Sequence, residues 1–132
     1  MKEKKPDRRK DRNLDSNRLF KIFVIALLII LIFTFIDALI HSLGEEYAVP
    51  DYYFRNKIIF GALIGFFALL FIEKKKIWKK AVIFSIVVSI LLQIRYFLEG
   101  YAIKFVLEFL LIHFVILFLV SLIVFKLMNK RI

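Results

Sequence analysis

The sequence contains no cysteine, which excludes thiol catalysis, disulfide exchange, thiolate zinc sites and cysteine-ligated iron–sulfur clusters. Proline and glycine are scarce, with two and four residues in 132, and neither proline falls within a long apolar stretch. Transporters that use unwound half-helices usually have apolar segments interrupted by these residues. The sequence therefore predicts continuous helices.

Catalytic and nucleotide-binding fingerprints are absent as well. There is no GxSxG, HExxH, phosphate-binding loop or dinucleotide-binding pattern, and no alternating pattern that would predict a strand. Enzymatic activity is therefore unsupported, and no cofactor is expected.

Apolar residues dominate the sequence. They make up 61% of it, against about 45–50% in soluble globular proteins. They form four stretches, each close to the ~20 residues needed to cross a hydrocarbon core of ~30 Å. The sequence predicts an all-α, polytopic integral membrane protein with four transmembrane helices in a bundle, spanning about 19–42, 54–73, 77–98 and 104–126.

The N-terminal segment differs from the rest of the chain. Residues 1–18 are rich in charge and contain Leu14 as the only sizeable apolar residue after Met1, so they are predicted to form a basic, disordered cytoplasmic tail. Residues 19–132 would then be the transmembrane domain. The alternative, a cleaved signal peptide over residues 1–44, is disfavoured because its apolar core exceeds the usual 7–15 residues.

The distribution of basic residues predicts the orientation. Seventeen of the 21 Lys and Arg residues lie in the N-terminal tail, the second loop and the C-terminus, and cytoplasmic loops carry such an excess. Both termini are therefore expected to be cytoplasmic in a multi-pass protein of the cell membrane. The net charge of +10 then reflects topology, so the expected partners are the bilayer and anionic headgroups near the tail, not nucleic acid.

Small residues mark candidate helix contacts. Helix two contains Gly61 and Gly65 in a GxxxG pattern, and helix three carries Ser85 and Ser89 four residues apart. Because lipid tails are as apolar as leucine, helices in a bilayer associate through close packing and interhelical hydrogen bonds. These residues are predicted packing positions. The alternative is that the glycines only act as spacers.

Polar residues near the outer ends of the helices form a second pattern. Asp37 and His41 are one turn apart on helix one, Gln93 and Arg95 lie on helix three, and Glu108 lies on helix four. We expect Arg95 to neutralise Asp37 or Glu108, with Gln93 and His41 completing the hydrogen bonds. Such a cluster could be a structural plug, or a site for a ligand, ion or proton.

The histidine of helix four, His113, is predicted to lie apart from this cluster. It is about 140° from Glu108 around the helix, so it should bond a neighbouring helix or act in a proton relay. Its estimated depth differs from that of His41 by ~13 Å, which would prevent the two from sharing an ion. The weak metal candidates are Asp37, His41 and Glu45.

These features favour a small non-enzymatic subunit or accessory protein. It would bind partner transmembrane helices, or copies of itself, through its small-residue faces and outer polar cluster. The alternative is a small oligomeric channel or transporter for an ion or small solute. A membrane-embedded metalloenzyme is a third, weaker interpretation.

Overall fold

The computed structural model describes the backbone of residues 8–129 and, within it, the side chains of residues 15–128. This part of the chain is entirely helical apart from its connections. It consists of four long helices and one 3-10 turn: α1 (Arg8–His41), the turn Glu45–Tyr47, α2 (Asp51–Ile72), α3 (Ile77–Leu98) and α4 (Ile103–Asn129). All four helices are long and apolar enough to cross a membrane, which confirms the prediction of an all-α chain with four such helices.

The helix ends follow local sequence signals. Pro50 precedes α2 with φ −64°, where its missing N–H costs nothing because the first helical N–H groups have no intrahelical partner. Helix α3 begins at Ile77, the first residue of the predicted third span, and Gly100, with φ 99°, lies shortly after its end. This left-handed conformation suits glycine and turns the chain into α4.

Helix α1 begins earlier than the apolar pattern suggests. Its first residue is Arg8, which lies within the segment predicted to be a disordered tail. Residues 1–7 of the predicted tail and residues 130–132 at the C-terminus lie outside the described residues.

Short connections make successive helices antiparallel. Each helix packs on two neighbours, in the closed order α1, α2, α3, α4 and back to α1. We call the end of the bundle formed by residues 42–50 and 99–102 the distal end, and the end that contains residues 73–76 the basic end. Consequently α1 and α3 run towards the distal end, whereas α2 and α4 run away from it.

The outer surface of the bundle carries many large apolar side chains. Phe33, Phe84, Val88 and Phe109 are buried in the core. Large apolar side chains also face outward from every helix, among them Phe35, Leu63, Phe71, Ile90, Leu111 and Leu119. Soluble monomers rarely expose contiguous apolar surface of this extent, so this exterior suggests a multi-pass membrane protein.

An ion pair links α1 and α2 at the basic end. The guanidinium of Arg18 on α1 donates hydrogen bonds to both carboxylate oxygens of Glu73, from Nε at 3.1 and 2.9 Å. These hydrogen bonds lower the pKa of the Glu73 carboxyl. The pair joins the start of the apolar part of α1 to the end of α2.

The two glycines of α2 lie at contacts within the chain. A Cβ atom at Gly61 would lie 3.0 Å from Ile30 Cγ2 on α1, and one at Gly65 would lie 3.1 Å from Phe84 Cε2 on α3 and 3.5 Å from Ala26 Cβ on α1. Both glycines are buried. Their small size therefore lets α2 approach α1 and α3 closely.

We expect Gly65→Leu to destabilise the chain itself. The new side chain has no space between Phe84 and Ala26, and overpacking of this kind costs about 1–3 kcal/mol. Thermal unfolding of the purified protein in detergent should show a lower midpoint. The control is Phe67→Leu at an outward position of the same helix, 56% exposed, which should leave the midpoint nearly unchanged. Equal stability of Gly65→Leu and the wild type would contradict close packing at this glycine.

Candidate functional site

Four ionisable side chains from three helices meet in the interior near the distal end. Asp37, Lys57 and His113 are 0% exposed, and His41 is 4% exposed. We call these four residues the Asp37 cluster. Charged side chains are almost never fully buried unless they are paired, so the contacts within this cluster decide what it can do.

The local sequence directs these side chains inward. Asp37 and His41 are one helical turn apart, so they share a face of α1. Lys57 lies on the same face of α2 as Tyr53 and Gly61, which are four residues before and after it and are both buried. These spacings place the acid, the amine and the imidazole against a common interior.

The Asp37 cluster is organised around an ion pair. Lys57 Nζ donates a hydrogen bond to Asp37 Oδ2 and another to Tyr53 Oη at 3.2 Å. The same ammonium lies 4.3 Å from the centroid of the Tyr53 ring, where the ring face attracts a cation. The Tyr53 ring stacks on Tyr96 of α3, with centroids 4.6 Å apart. The charge of Asp37 is thus neutralised within a shell of aromatic rings.

His41 connects the cluster to the distal loop. Its Nδ1 lies 2.6 Å from the backbone carbonyl oxygen of Tyr47. Its Nε2 lies 3.2 Å from Asp37 Oδ2, although this nitrogen has no well-aligned hydrogen-bond partner. The ring stacks on Phe109 of α4, with centroids 4.3 Å apart and planes 1° apart. Packing therefore fixes the orientation of this imidazole.

His113 completes the cluster from α4. Its Nε2 lies 3.1 Å from Asp37 Oδ1 and 3.1 Å from Lys57 Nζ. Its Nδ1 is buried without a hydrogen-bond partner. The ring meets Phe33 edge to face, with centroids 5.0 Å apart. One imidazole nitrogen thus faces both members of the ion pair.

Lys57 is the residue that the sequence analysis missed. A lysine near the end of a long apolar helix can extend its amine towards the membrane surface, so its residue type alone does not predict an interior position. The signal that could have placed it was its spacing, because residues 57, 61 and 65 share one face of the helix. The GxxxG face and the lysine therefore point the same way.

The predicted ion pair between Arg95 and Asp37 or Glu108 is wrong. Arg95 Nη2 pairs with Glu99 Oε1 at 2.9 Å, one turn along α3, and its guanidinium carbon lies 3.7 Å from the Phe60 ring centroid. Glu108 is exposed and lines a surface crevice with residues of the distal loops. Its exposure and the burial of His113 agree with their predicted separation around α4.

The other predicted polar residues have local roles. Gln93 does not reach Asp37; its Nε2 donates a hydrogen bond to the Val106 carbonyl of α4 at 2.6 Å. The hydroxyls of Ser85 and Ser89 bond backbone carbonyls of their own helix, those of Ala81 and Ile86, at 2.8 and 3.2 Å. Gln93 therefore links α3 to α4, whereas the two serines make no bond to another helix.

The prediction that the two histidines are too far apart to share an ion is also wrong. One ligand atom from each of Asp37, His41 and His113 lies within 4.8 Å of the others; Glu45 is exposed and is not in this group. Side chains tilt towards the N-terminus of their helix. Those of α1 therefore tilt away from the distal end and those of the antiparallel α4 towards it, which closes the estimated gap.

The position of the Lys57 ammonium disfavours metal binding by the same three groups. The Lys57 ammonium contacts Asp37 and lies 3.1 Å from His113 Nε2, so a cation of the chain already occupies the space between two of the three groups. A divalent ion would meet this positive charge at close range. The arrangement is therefore an ion-pair network.

We expect Lys57→Met to be strongly destabilising. The substitution leaves the Asp37 carboxylate without its ammonium, and breaking a buried ion pair in this way costs about 3–5 kcal/mol. We expect the lower end of that range because both imidazoles remain beside the carboxylate. The measurement is the free energy of unfolding in detergent.

The double variant Asp37→Leu/Lys57→Met should recover most of the loss, because replacing both partners by apolar groups is often neutral. Arg95→Gln is the control for removal of a positive charge at the rim, where an ion pair contributes about 0–1 kcal/mol. A Lys57→Met protein as stable as the wild type would refute the buried pair.

No protein-family model, curated protein or solved structure matches the chain.

Proposed function

We propose that the chain is an integral membrane protein of the cell membrane that crosses the bilayer four times, with both termini on the cytoplasmic side. The apolar outer surface supports insertion. The concentration of Lys and Arg in the N-terminal segment, the second loop and the C-terminus supports the orientation, because cytoplasmic loops carry such an excess. The distal end, with Glu45 and Glu46, would then face outward, together with Asp51 at the start of α2.

We further propose that the protein is a non-enzymatic subunit or accessory protein, which binds other transmembrane helices or copies of itself. The observation that carries this proposal is the closure of the Asp37 cluster. Its four side chains are almost wholly buried, and five crevices found on the described residues are lined by other side chains. A substrate would have to displace packed side chains to reach the cluster, so we assign the binding role to the outer helical surface.

The partner-binding surface would consist of outward-facing positions. Gly61 and Gly65, the first candidates from the sequence, already pack against Ile30, Ala26 and Phe84 of the same chain. Between α3 and α4, Ser89 lines an open apolar crevice with Ile86 and Leu110 among others. Ser89 is itself buried, whereas Ile86 and Ile90 of the same crevice face outward and are available for packing against another helix.

Single-cysteine cross-linking tests the assembly, and the absence of native cysteine makes the background clean. Four variants would each carry one cysteine on the outer surface of a different helix, in place of Phe35, Leu63, Ile90 or Leu119. Val88→Cys would be the buried control. We expect oxidation in native membranes to cross-link at least one outward position to a second chain and to leave Val88→Cys uncross-linked. If all four outward-facing variants remained monomeric, with no partner attached, the proposal would be contradicted.

The same background tests the orientation. A membrane-impermeant thiol reagent applied to intact cells should modify Glu46→Cys in the distal loop and should spare Lys75→Cys in the basic loop until the membrane is permeabilised. The opposite labelling pattern would reverse the proposed topology.

The alternative function, a small channel or transporter for an ion or solute, is supported by the concentration of ionisable groups in the interior, since such groups mark many transport pathways. In that case purified protein in liposomes should pass an ion, and Asp37→Asn should reduce the flux. Arg95→Gln, outside the cluster, should leave the flux unchanged. We expect no flux in any of the three proteins because the cluster is closed.

A further inference from the structure

We propose that the Asp37 cluster is a proton-binding site, in which the one cation that balances Asp37 is held either by the Lys57 amine or by an imidazole of His113 or His41. This site goes beyond the proposed subunit role and does not depend on it. It rests on the hydrogen-bond roles that the observed distances allow.

The first argument concerns His113 Nε2. This nitrogen is 3.1 Å from Lys57 Nζ and 3.1 Å from Asp37 Oδ1. A ring nitrogen carries either a proton or a lone pair, so it can donate to the carboxylate or accept from the ammonium, but not both. Each arrangement satisfies one contact and leaves the other unmade. The two arrangements therefore have competing hydrogen bonds at equal distances.

A proton transfer connects the two arrangements without changing the net charge. In one, Lys57 is an ammonium and donates to the His113 Nε2 lone pair, while His113 Nδ1 carries the ring proton. When the shared proton moves from Nζ to Nε2, the amine becomes neutral and the imidazole becomes an imidazolium that donates to Asp37 Oδ1. The neutral amine still has two protons, one for Asp37 Oδ2 and one for Tyr53 Oη. No bond other than N–H is broken or formed.

The second argument concerns His41. A backbone carbonyl oxygen only accepts hydrogen bonds, so the contact with Tyr47 at 2.6 Å requires a proton on His41 Nδ1. In a neutral ring Nε2 then holds a lone pair, which faces Asp37 Oδ2 at 3.2 Å and gains nothing from the carboxylate. Protonation of Nε2 would replace this unfavourable contact by an attractive one. His41 is therefore a second position for the positive charge.

Burial limits the cluster to few charges. An isolated charge is costly in an apolar interior, so one carboxylate is best balanced by one cation. The other titratable groups that face the cluster are tyrosines: Tyr53 of α2, which accepts from Lys57, and Tyr96 of α3, whose hydroxyl is buried without a partner. Neither tyrosine supplies a further cation.

The packed cluster borders the distal loop. His41 Nδ1 lies 2.6 Å from the Tyr47 carbonyl oxygen, so in this proposal the proton enters the cluster from the distal side. Towards the basic end, the next buried polar side chain of α4 is Ser121, and its hydroxyl bonds the Phe118 carbonyl of its own helix at 3.2 Å. The hydroxyls of Ser85 and Ser89 likewise donate hydrogen bonds to carbonyls of their own helix, α3. The described residues therefore support binding of a proton rather than its passage.

Nitrogen NMR of the full chain tests the proposal. The protein would carry ¹⁵N in histidine and lysine side chains, in lipid nanodiscs, and its spectra would be recorded from about pH 5 to 8, where imidazoles titrate. Because burial favours one cation for the one carboxylate, we expect a single positive charge per chain, shared by the Lys57 amine and the rings of His113 and His41, so that these nitrogens exchange between neutral and charged forms. A fully charged Lys57 amine beside two fully neutral rings at every pH would overturn the proposal.

Two variants locate the proton. Lys57→Met removes the amine, so the balancing charge must move to a ring, and one charged imidazole per chain should persist at neutral pH. Two neutral rings in that variant would overturn the proposal. Arg95→Gln is the control, and its side-chain nitrogen spectra should match the wild type; a change there would also count against a site confined to the cluster. Should Lys57→Met fail to fold, the distribution of the charge in the wild-type spectra alone decides.

Discussion

The cost of the Asp37 carboxylate in an apolar interior is the constraint on which the structure depends. A carboxylate placed among transmembrane helices costs about 2.5–3.5 kcal/mol on insertion scales, and a chain retains one only with compensation. Here Lys57 from α2 supplies the opposite charge, while His113 from α4 and His41 from α1 surround the carboxylate. One acid on α1 thus determines which faces of α2 and α4 must turn inward.

This polar constraint complements the packing of small residues. In a bilayer, helices gain little from burying apolar side chains, since lipid is equally apolar. The directed contacts of the Asp37 cluster fix the helices near the distal end, and the two glycines of α2 allow close approach along its length. Arg18 and Glu73 join α1 to α2 at the basic end. The arrangement therefore has a polar contact near each end and close packing between them.

Much of the fold could be predicted from sequence, because four apolar stretches of sufficient length allow few alternatives. The beginning of α1 could not, since the charged residues after Arg8 carry no apolar periodicity to mark a helix. For the site, Asp37 and His41 were recognised as interior candidates from their positions in an apolar run. The predicted pairing of Arg95 with Asp37 or Glu108 is wrong because it rests only on the position of each residue near the outer end of its helix. That position does not say which face of the helix a side chain lies on, and the face is what places Lys57, rather than Arg95, beside Asp37.

The position of His113 shows a second limit of sequence reasoning. Backbone depth placed it too far from His41, whereas side chains of antiparallel helices tilt towards each other along the bundle axis. That tilt, together with the reach of the side chains, brings the two imidazoles to one carboxylate. The predicted topology gives the direction of each helix. A similar cluster in another chain could therefore be found by including the tilt of the side chains towards the helix N-terminus in the estimate of residue depth.

The most direct test of the account is the proximity of Lys57 and Asp37 in a lipid bilayer. Solid-state NMR of the full chain can measure the dipolar coupling between Lys57 ¹⁵Nζ and the Asp37 ¹³C carboxyl carbon. The account predicts a strong coupling and slow exchange of the Lys57 amine protons with water. An absent coupling, with amine protons that exchange rapidly, would show that Lys57 extends to the membrane surface and that Asp37 is balanced by another group.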